Sequence, residues 1–214
     1  MIIGNLKNYL WKIYYKKSLN NWFKRNFDSP SPEFVKHKVL ERFNLENSTW
    51  IETGTYYGDT TEFLSKFASK IFSIEADERL SNIAKKKFLK SENIKIINGE
   101  SQNILEQILK EEKLTKNICF YLDAHLCMDH VTNEKTYGVK NSETPILNEL
   151  KLIEKEIMNY EKINIIIDDI RLFGKNFENY PSLDVLVEWS KTSKSKWQIQ
   201  HDMFIIQYKN SHKT

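Results

Sequence analysis

The chain is poor in the residues that make turns and covalent cross-links. It has only six glycines and four prolines among 214 residues, whereas these two types together average roughly 12% of a globular chain. This scarcity excludes collagen-like and low-complexity proteins and argues against a turn-rich β-sandwich. The two cysteines, Cys119 and Cys127, form neither a disulfide framework nor a zinc-binding pattern. We therefore expect a reducing, cytoplasmic location.

Long apolar runs are also missing. No stretch reaches the roughly 18 apolar residues that a membrane-spanning helix needs. Lysines and asparagines interrupt the N-terminus before the apolar centre of a secretion signal forms. The sequence therefore predicts neither a transmembrane helix nor a signal peptide.

The charge of the chain is small overall and unevenly placed. The formal net charge is +3, but residues 1–30 alone carry +5, which leaves −2 for the rest. We expect two parts, a basic aromatic helical segment at 1–30 and a single domain at 31–214. Residues 1–27 are expected to pack on the domain or on a second subunit of a homo-oligomer. The alternative is a helix lying on an anionic membrane surface. The overall charge does not indicate a nucleic-acid partner.

From residue 50 onward the hydrophobic pattern alternates between strand and helix. Five strand-then-helix units precede a final strand pair, which indicates a Rossmann-like α/β fold with a doubly wound, mostly parallel sheet and a C-terminal antiparallel pair. Helices at the N-terminus are added to it. The predicted strands are 50–51, 70–75, 93–99, 117–123, 163–169, 197–200 and 204–208. The predicted helices between them are 60–67, 78–89, 102–109, 145–160 and 181–190.

Unusual residues follow the first two predicted strands. The first strand ends in Glu52-Thr-Gly54-Thr55, with Gly58 close behind, and a glycine there permits a tight turn beside a ligand. The second strand ends at Glu75, which suits a grip on ribose hydroxyls or, alternatively, the solvated start of a helix. The dinucleotide fingerprint G-x-G-x-x-G is absent, which argues against a dinucleotide enzyme.

Together with Asn98-Gly-Glu100-Ser101, Asp123 and the final strand pair, these residues resemble class I S-adenosylmethionine-dependent methyltransferases. The resemblance covers about residues 48–209. It implies that the first loop holds the methionine part of the cofactor, that the acid after the second strand holds the ribose, and that residues after the third strand flank the adenine. The cofactor-binding residues implied here are Glu52, Gly54, Thr55, Gly58, Glu75, Glu100 and Ser101.

Acidic residues also end the fourth and fifth predicted strands. Asp123 follows the fourth strand and Asp168-Asp169 follows the fifth. Three carboxylates brought together at this edge would repel one another, and Mg²⁺ or Mn²⁺ would remove that repulsion. The alternative for Asp168 and Asp169 is a helix cap. The pattern resembles the metal-dependent sugar O-methyltransferases of macrolide and aminocoumarin biosynthesis, which implies metal ligands at Asp123, Asp168 and Asp169 and a catalytic base at His125.

The sequence therefore predicts O-methylation of a sugar hydroxyl, free, nucleotide-linked or in a glycosylated product. His125 and Asp123 would be catalytic, with His125 accepting the hydroxyl proton near neutral pH. The polar stretch 126–143 would close over the acceptor. His125 has a structural alternative, and two other functions stay open: a metal-independent methyltransferase on another small molecule, and a non-catalytic cofactor-binding or interaction module.

Overall fold

The computed structural model describes residues 2–136, 144–174 and 180–213. Its helices are α1 (Ile2–Lys24), α2 (Glu33–Arg42), α3 (Asp59–Leu64), α4 (Glu78–Lys87), α5 (Ser101–Glu111), α6 (Ile146–Glu156) and α7 (Leu183–Thr192). Its strands are β1 (Thr49–Thr53), β2 (Lys70–Glu75), β3 (Ile94–Asn98), β4 (Asn117–Leu122), β5 (Lys162–Ile167), β6 (Lys196–Gln200) and β7 (Met203–Lys209).

The strands form one sheet in the order β3-β2-β1-β4-β5-β7-β6. The first five strands in this order are parallel, and β7 runs antiparallel to both β5 and β6. The predicted doubly wound sheet with its antiparallel C-terminal pair is therefore confirmed. The strand order reverses between β1 and β4, and open α/β sheets bind ligands in the crevice at such a point.

Both faces of the sheet are covered by helices, which explains the uninterrupted apolar runs in its strands. Ile51, Phe72 and Phe120 belong to one buried layer with residues of α5, α6 and α7. Trp50 and Ile71 belong to the other layer with residues of α2 and α3. Neighbouring residues of one strand thus enter opposite layers, as the pleat requires.

The second half of the N-terminal helix α1 contacts the domain. Trp22 is buried and its ring lies 5.4 Å from that of His201, while Tyr15 packs edge-on against Phe34 of α2 at 4.7 Å. Several large side chains of the same segment remain exposed. The division into residues 1–30 and 31–214 stays a prediction. None of the described helices is long and apolar enough to cross a bilayer.

Candidate active site

A cavity of about 160 Å³ opens at the carboxyl ends of β1, β2 and β4. Three of the predicted cofactor residues, Gly54, Glu75 and Ser101, line it, and so do Asp123 and His125. Parallel strands ending at one edge bring these distant residues together, as the sequence predicted.

Gly54 sits where the β1 loop meets the end of β4. Its φ is +89°, and a Cβ added there would lie 2.6 Å from the carbonyl oxygen of Asp123. Both the backbone conformation and the close approach therefore require glycine. The Gly54 N–H donates to the Ile74 carbonyl at 2.9 Å, which ties this loop to β2.

Glu75 ends β2 with its carboxylate on the cavity wall. Burial raises its pKa, against the opposing effect of backbone donors. Its two oxygens accept hydrogen bonds from the N–H groups of Tyr56 at 2.7 Å and Asp77 at 2.9 Å. A carboxylate oxygen accepts more than one hydrogen bond, so the fixed carboxylate retains acceptor capacity for ribose hydroxyls.

Two other predicted cofactor residues, Glu52 and Thr55, make buried hydrogen bonds that support the β1 loop. Glu52 is fully buried and accepts hydrogen bonds from the hydroxyls of Thr61 and Ser73, each at 2.5 Å. Burial raises the pKa of Glu52 to about 7. The Thr55 hydroxyl lies 2.6 Å from that of Ser73. Glu52 is therefore a support under the β1 loop and is not on the cavity wall.

Gly58 and Glu100 also lie off this wall. Gly58 has a φ of +76° just before α3 and approaches the ring of Phe88. Glu100 precedes α5, and its carboxylate accepts a hydrogen bond from Gln102 at 3.3 Å. The cavity walls also include residues that sequence reasoning did not assign: Tyr56, Ile74, Ala76, Leu80, Gly99, Ala124, Cys127 and Thr136. The alternation of apolar and polar residues gave no signal for Leu80, Cys127 or Thr136.

The three predicted metal ligands do converge, with His125 among them. The Tyr121 hydroxyl donates to Asp168 at 2.5 Å and lies 3.2 Å from Asp123 Oδ2. His125 Nδ1 lies 3.2 Å from Asp123 Oδ1, and its Nε2 lies 3.3 Å from Asp169 Oδ2. Donor atoms of Asp123, His125 and Asp169 all lie within 4.8 Å of one another.

Protein cations already neutralise these carboxylates. Lys36 of α2 places its Nζ 2.6 Å from Asp168 and 3.2 Å from Asp169. Arg171 pairs with both Asp169 and the buried Asp202. These charges and that of His125 outweigh burial and hold the pKa of Asp169 below its usual value. Side chains thus relieve part of the repulsion that motivated a divalent cation, while burial and the neighbouring Asp123 still raise the pKa of Asp168 to about 7.

The same cluster changes the expected chemistry of His125. Burial alone would lower its pKa, but the neighbouring carboxylates of Asp123, Asp169 and Asp168 raise it to about 9. At neutral pH the ring is therefore a cation, and an imidazolium has no free lone pair to accept a proton. The predicted general-base role of His125 near neutral pH does not fit this structure.

A second cavity of about 380 Å³ adjoins the first. The two share Gly54, Tyr56 and Asp123, so Asp123 stands on the wall between them. Lys36 and Tyr121 line the second cavity as well. Its position beside the first identifies it as the candidate acceptor cavity.

The described part of the polar stretch 126–143, which was predicted to close over the acceptor, is held beside the first cavity by side-chain contacts. Asp129 is 1% exposed, pairs with Arg79 of α4, and accepts a hydrogen bond from the Tyr57 hydroxyl at 3.2 Å. The Tyr56 hydroxyl lies 2.5 Å from Nδ1 of His130. The rest of that predicted loop, 137–143, lies outside the described residues.

Comparison with known proteins adds the family. The family model described as ribosomal RNA adenine dimethylase matches residues 17–136, more than half of the chain. The chain belongs to this family. The predictions of an S-adenosylmethionine-dependent methyltransferase and of that cofactor are therefore confirmed.

Two curated relatives carry similar names. The chain is 32% identical over 124 residues to ribosomal RNA small subunit methyltransferase A of Staphylococcus haemolyticus, covering 58% of this chain and 37% of the relative. It is 23% identical over 169 residues to a Thermococcus gammatolerans protein described as a probable ribosomal RNA small subunit methyltransferase A, covering 76% and 57%. The chain thus spans about a third to a little over half of the length of these relatives.

Solved structures show the same fold. The Streptococcus mutans protein SMU.1697c, in complex with SAH, aligns with a TM-score of 0.51 at 18% identity over 83% of this chain and 97% of that one. The N-methyltransferase NodS of Bradyrhizobium japonicum aligns with a TM-score of 0.52 at 13% identity over 83% and 96%. At these identities the likeness concerns the fold alone.

These findings overturn three predictions. A sugar O-methyltransferase and a sugar or nucleotide-sugar substrate are wrong, because the matching family and both curated relatives are named for ribosomal RNA methylation. The exclusion of nucleic acid as a partner is wrong for the same reason. A Mg²⁺ or Mn²⁺ requirement has no support in the family, and Lys36 and Arg171 supply the charge that it was meant to provide.

Proposed function

We propose that this chain transfers a methyl group from S-adenosylmethionine to an amino nitrogen of an RNA base. The family match and the names of both curated relatives support RNA as the substrate. The cofactor would lie in the first cavity against Gly54, Glu75 and Ser101, and the base would enter the second cavity. When bound, the cofactor supplies an electrophilic methyl group on a sulfonium sulfur.

The hydrogen bonding of the Asp123 carboxylate is the observation that favours an amine as the methyl acceptor. Its Oδ1 is buried and makes no aligned hydrogen bond among the described residues, but Nδ1 of the cationic His125 lies 3.2 Å away. A carboxylate oxygen accepts more than one hydrogen bond, so Asp123 retains the capacity to accept one from an N–H of the acceptor. Because Asp123 stands between the two cavities, such a bond would aim the nitrogen at the cofactor side.

The charge of His125 favours the same acceptor class. A hydroxyl is a weak nucleophile until a base removes its proton, and the cationic His125 is not a free base at neutral pH. An amino nitrogen would attack the methyl carbon with its own electron pair while the carbon–sulfur bond breaks and SAH leaves, and it would lose its proton after the new N–C bond has formed. Asp123 can accept the N–H hydrogen bond throughout and pass the released proton towards solvent.

The test is methyl transfer from labelled cofactor to ribosomal RNA, followed by nucleoside analysis. Asp123→Ala should lose about 10²-fold or more in rate, as expected for a group that orients and stabilises the reacting atoms. SAH binding, measured by calorimetry, should persist in this variant. Asp184→Ala, which changes an exposed aspartate on α7, is the matched control and should keep full activity.

Label found on ribose hydroxyls instead of base nitrogens would overturn the amine assignment. Full activity of Asp123→Ala would remove Asp123 from the site. Absence of transfer to any RNA by a wild-type protein that binds SAH would overturn the proposed function itself.

A further inference from the structure

The inference drawn here rests on the proposed RNA substrate and concerns where that RNA is held. Phosphate contacts by Lys and Arg dominate RNA affinity. Residues 31–214 carry a net charge of −2, so the domain as a whole does not attract a polyanion. The +5 charge of residues 1–30 makes this segment the natural place for such contacts.

The described part of this segment carries both exposed lysines and exposed aromatic side chains. Lys16, Lys17 and Lys24 are exposed. Phe23 is 65% exposed and Phe27 is 55% exposed. Bases of single-stranded nucleic acids stack on such rings while lysines hold the backbone.

The arrangement around α1 does not suit a membrane. A helix lying in a bilayer interface needs one apolar face and one charged face. In the described part of α1, two residues of the apolar side are turned towards the domain: Trp22 is buried, and Tyr15 packs against Phe34 at 4.7 Å. Because protein already contacts this side, the exposed lysines favour a polyanion such as RNA over a lipid surface.

A groove connects this helix with the acceptor cavity. A cavity of about 540 Å³ lies between α1, α2 and α3 and is lined by Tyr14 and Tyr15. It shares Glu33, His37 and Asp59 with the acceptor cavity, so the two spaces lie side by side. An RNA strand that places one base in the acceptor cavity can therefore extend directly to α1.

The groove between α1, α2 and α3 contains acidic and basic side chains and a pair of stacked rings. The ring of His37 stacks on that of Phe63 at 4.3 Å with an angle of 6° between their planes. Its charged side chains are Glu33, Lys38, Asp59, Glu62 and Lys66. The three acids of the groove repel phosphates and outnumber its two lysines, which favours the exposed lysines of α1 as the partners of the backbone.

We propose that residues 13–27 and the adjoining groove bind a single-stranded segment of the RNA substrate next to the methylated base. The lysines of α1 contact its phosphates, and Phe23 and the groove rings contact its bases. This assigns to the N-terminal segment a recognition role that the packing and membrane interpretations did not include.

The experiment measures binding of a labelled single-stranded RNA to the full chain across a salt titration. The double variant Lys16→Ala/Lys17→Ala should raise Kd about tenfold and lower the log–log salt slope by about 1.4, because two phosphate contacts of a single strand are lost. Phe23→Ala should raise Kd about fivefold with an unchanged slope, since stacking involves no counterion release. Lys85→Ala/Lys86→Ala, on the exposed side of α4, is the charge-matched control and should leave binding unchanged.

Each alternative outcome has its own meaning. If the wild type binds SAH but no RNA at any salt concentration, the proposed function fails and this inference falls with it. If the wild type binds RNA and the α1 variants bind equally well, only this inference is overturned. If RNA binding is unaffected and phosphatidylglycerol vesicles capture the protein only when these lysines are present, α1 binds a membrane instead. If RNA binding is unaffected and Phe23→Ala abolishes a dimer, α1 binds a second copy of the chain.

Discussion

The positive charge of His125 should make a measurable, pH-dependent contribution to the stability of the fold. Its ring lies between Asp123 and Asp169, with nitrogen–oxygen distances of 3.2 and 3.3 Å. Burial opposes the charge, but these carboxylates prevail and raise the pKa from 6.5 to about 9. A difference of ~2.5 in pKa between folded and unfolded chains corresponds to a stabilisation of about 3 kcal/mol at most.

This stabilisation depends on pH in a defined direction. The folded-state pKa is raised, so the full contribution is present below the unfolded pKa of about 6.5. It declines as the pH rises and is lost once the pH passes the folded value of about 9. His125→Gln should therefore be less stable than the wild type at pH 6 by up to about 3 kcal/mol, and the difference should shrink steadily towards pH 9.5.

Two measurements test this reasoning. Urea unfolding at pH 6, 7.5 and 9.5 gives the stability difference, and NMR of the imidazole carbons gives the pKa directly. His212→Gln, at an exposed position near the C-terminus, is the control for the loss of one histidine. An imidazole at position 125 that titrates at or below 6.5 would refute the argument and restore His125 as a neutral base.

Three further changes follow from the same geometry. Lys36→Met should destabilise the fold by about 3 kcal/mol in urea unfolding, because it leaves the buried carboxylate of Asp168 without the cation that lies 2.6 Å from it. Lys38→Met, on the exposed side of α2, should change stability by under 1 kcal/mol, and equal effects of the two variants would contradict the internal ion pair. Gly54→Ala should abolish SAH binding or folding, while Gly174→Ala, with a φ of +70° and open space for a Cβ, should show only the backbone penalty of about 1–2 kcal/mol. Glu75→Gln should weaken SAH binding by about 1–3 kcal/mol in calorimetry, and unchanged affinity would remove Glu75 from the ribose site.

The fold was predictable because its signals are local. Runs such as Ile165–Ile167 indicate strands buried on both faces, and the residue types after each strand mark the edge where ligands bind. The element boundaries shift by a few residues, since helix ends depend on neighbours that the pattern does not show. The first helix after the glycine loop, for example, spans Asp59–Leu64 instead of 60–67.

The metal prediction failed because it counted too few of the cations around the aspartates. It overlooked Arg171, two residues after Asp169, and it could not place Lys36, which lies 132 residues before Asp168. The same limit applies to Glu52, whose partners Thr61 and Ser73 lie on other elements. An acid at a strand end can bind a ligand or support a loop, and the tertiary partners decide which.

Lys36 and Tyr121 join the two halves of the site. The family match covers residues 17–136, which contain Asp123 and both of these side chains, while Asp168 follows β5 outside the matched range. Lys36 fixes Asp168, and the Tyr121 hydroxyl links Asp168 to the carboxylate of Asp123. The orientation of the group that receives the acceptor nitrogen is thus set from β5 through two side chains that also line the acceptor cavity. Tyr121→Phe should consequently lower the rate of methyl transfer while leaving SAH affinity unchanged, and a loss of SAH affinity in this variant would show that Tyr121 serves the cofactor cavity instead.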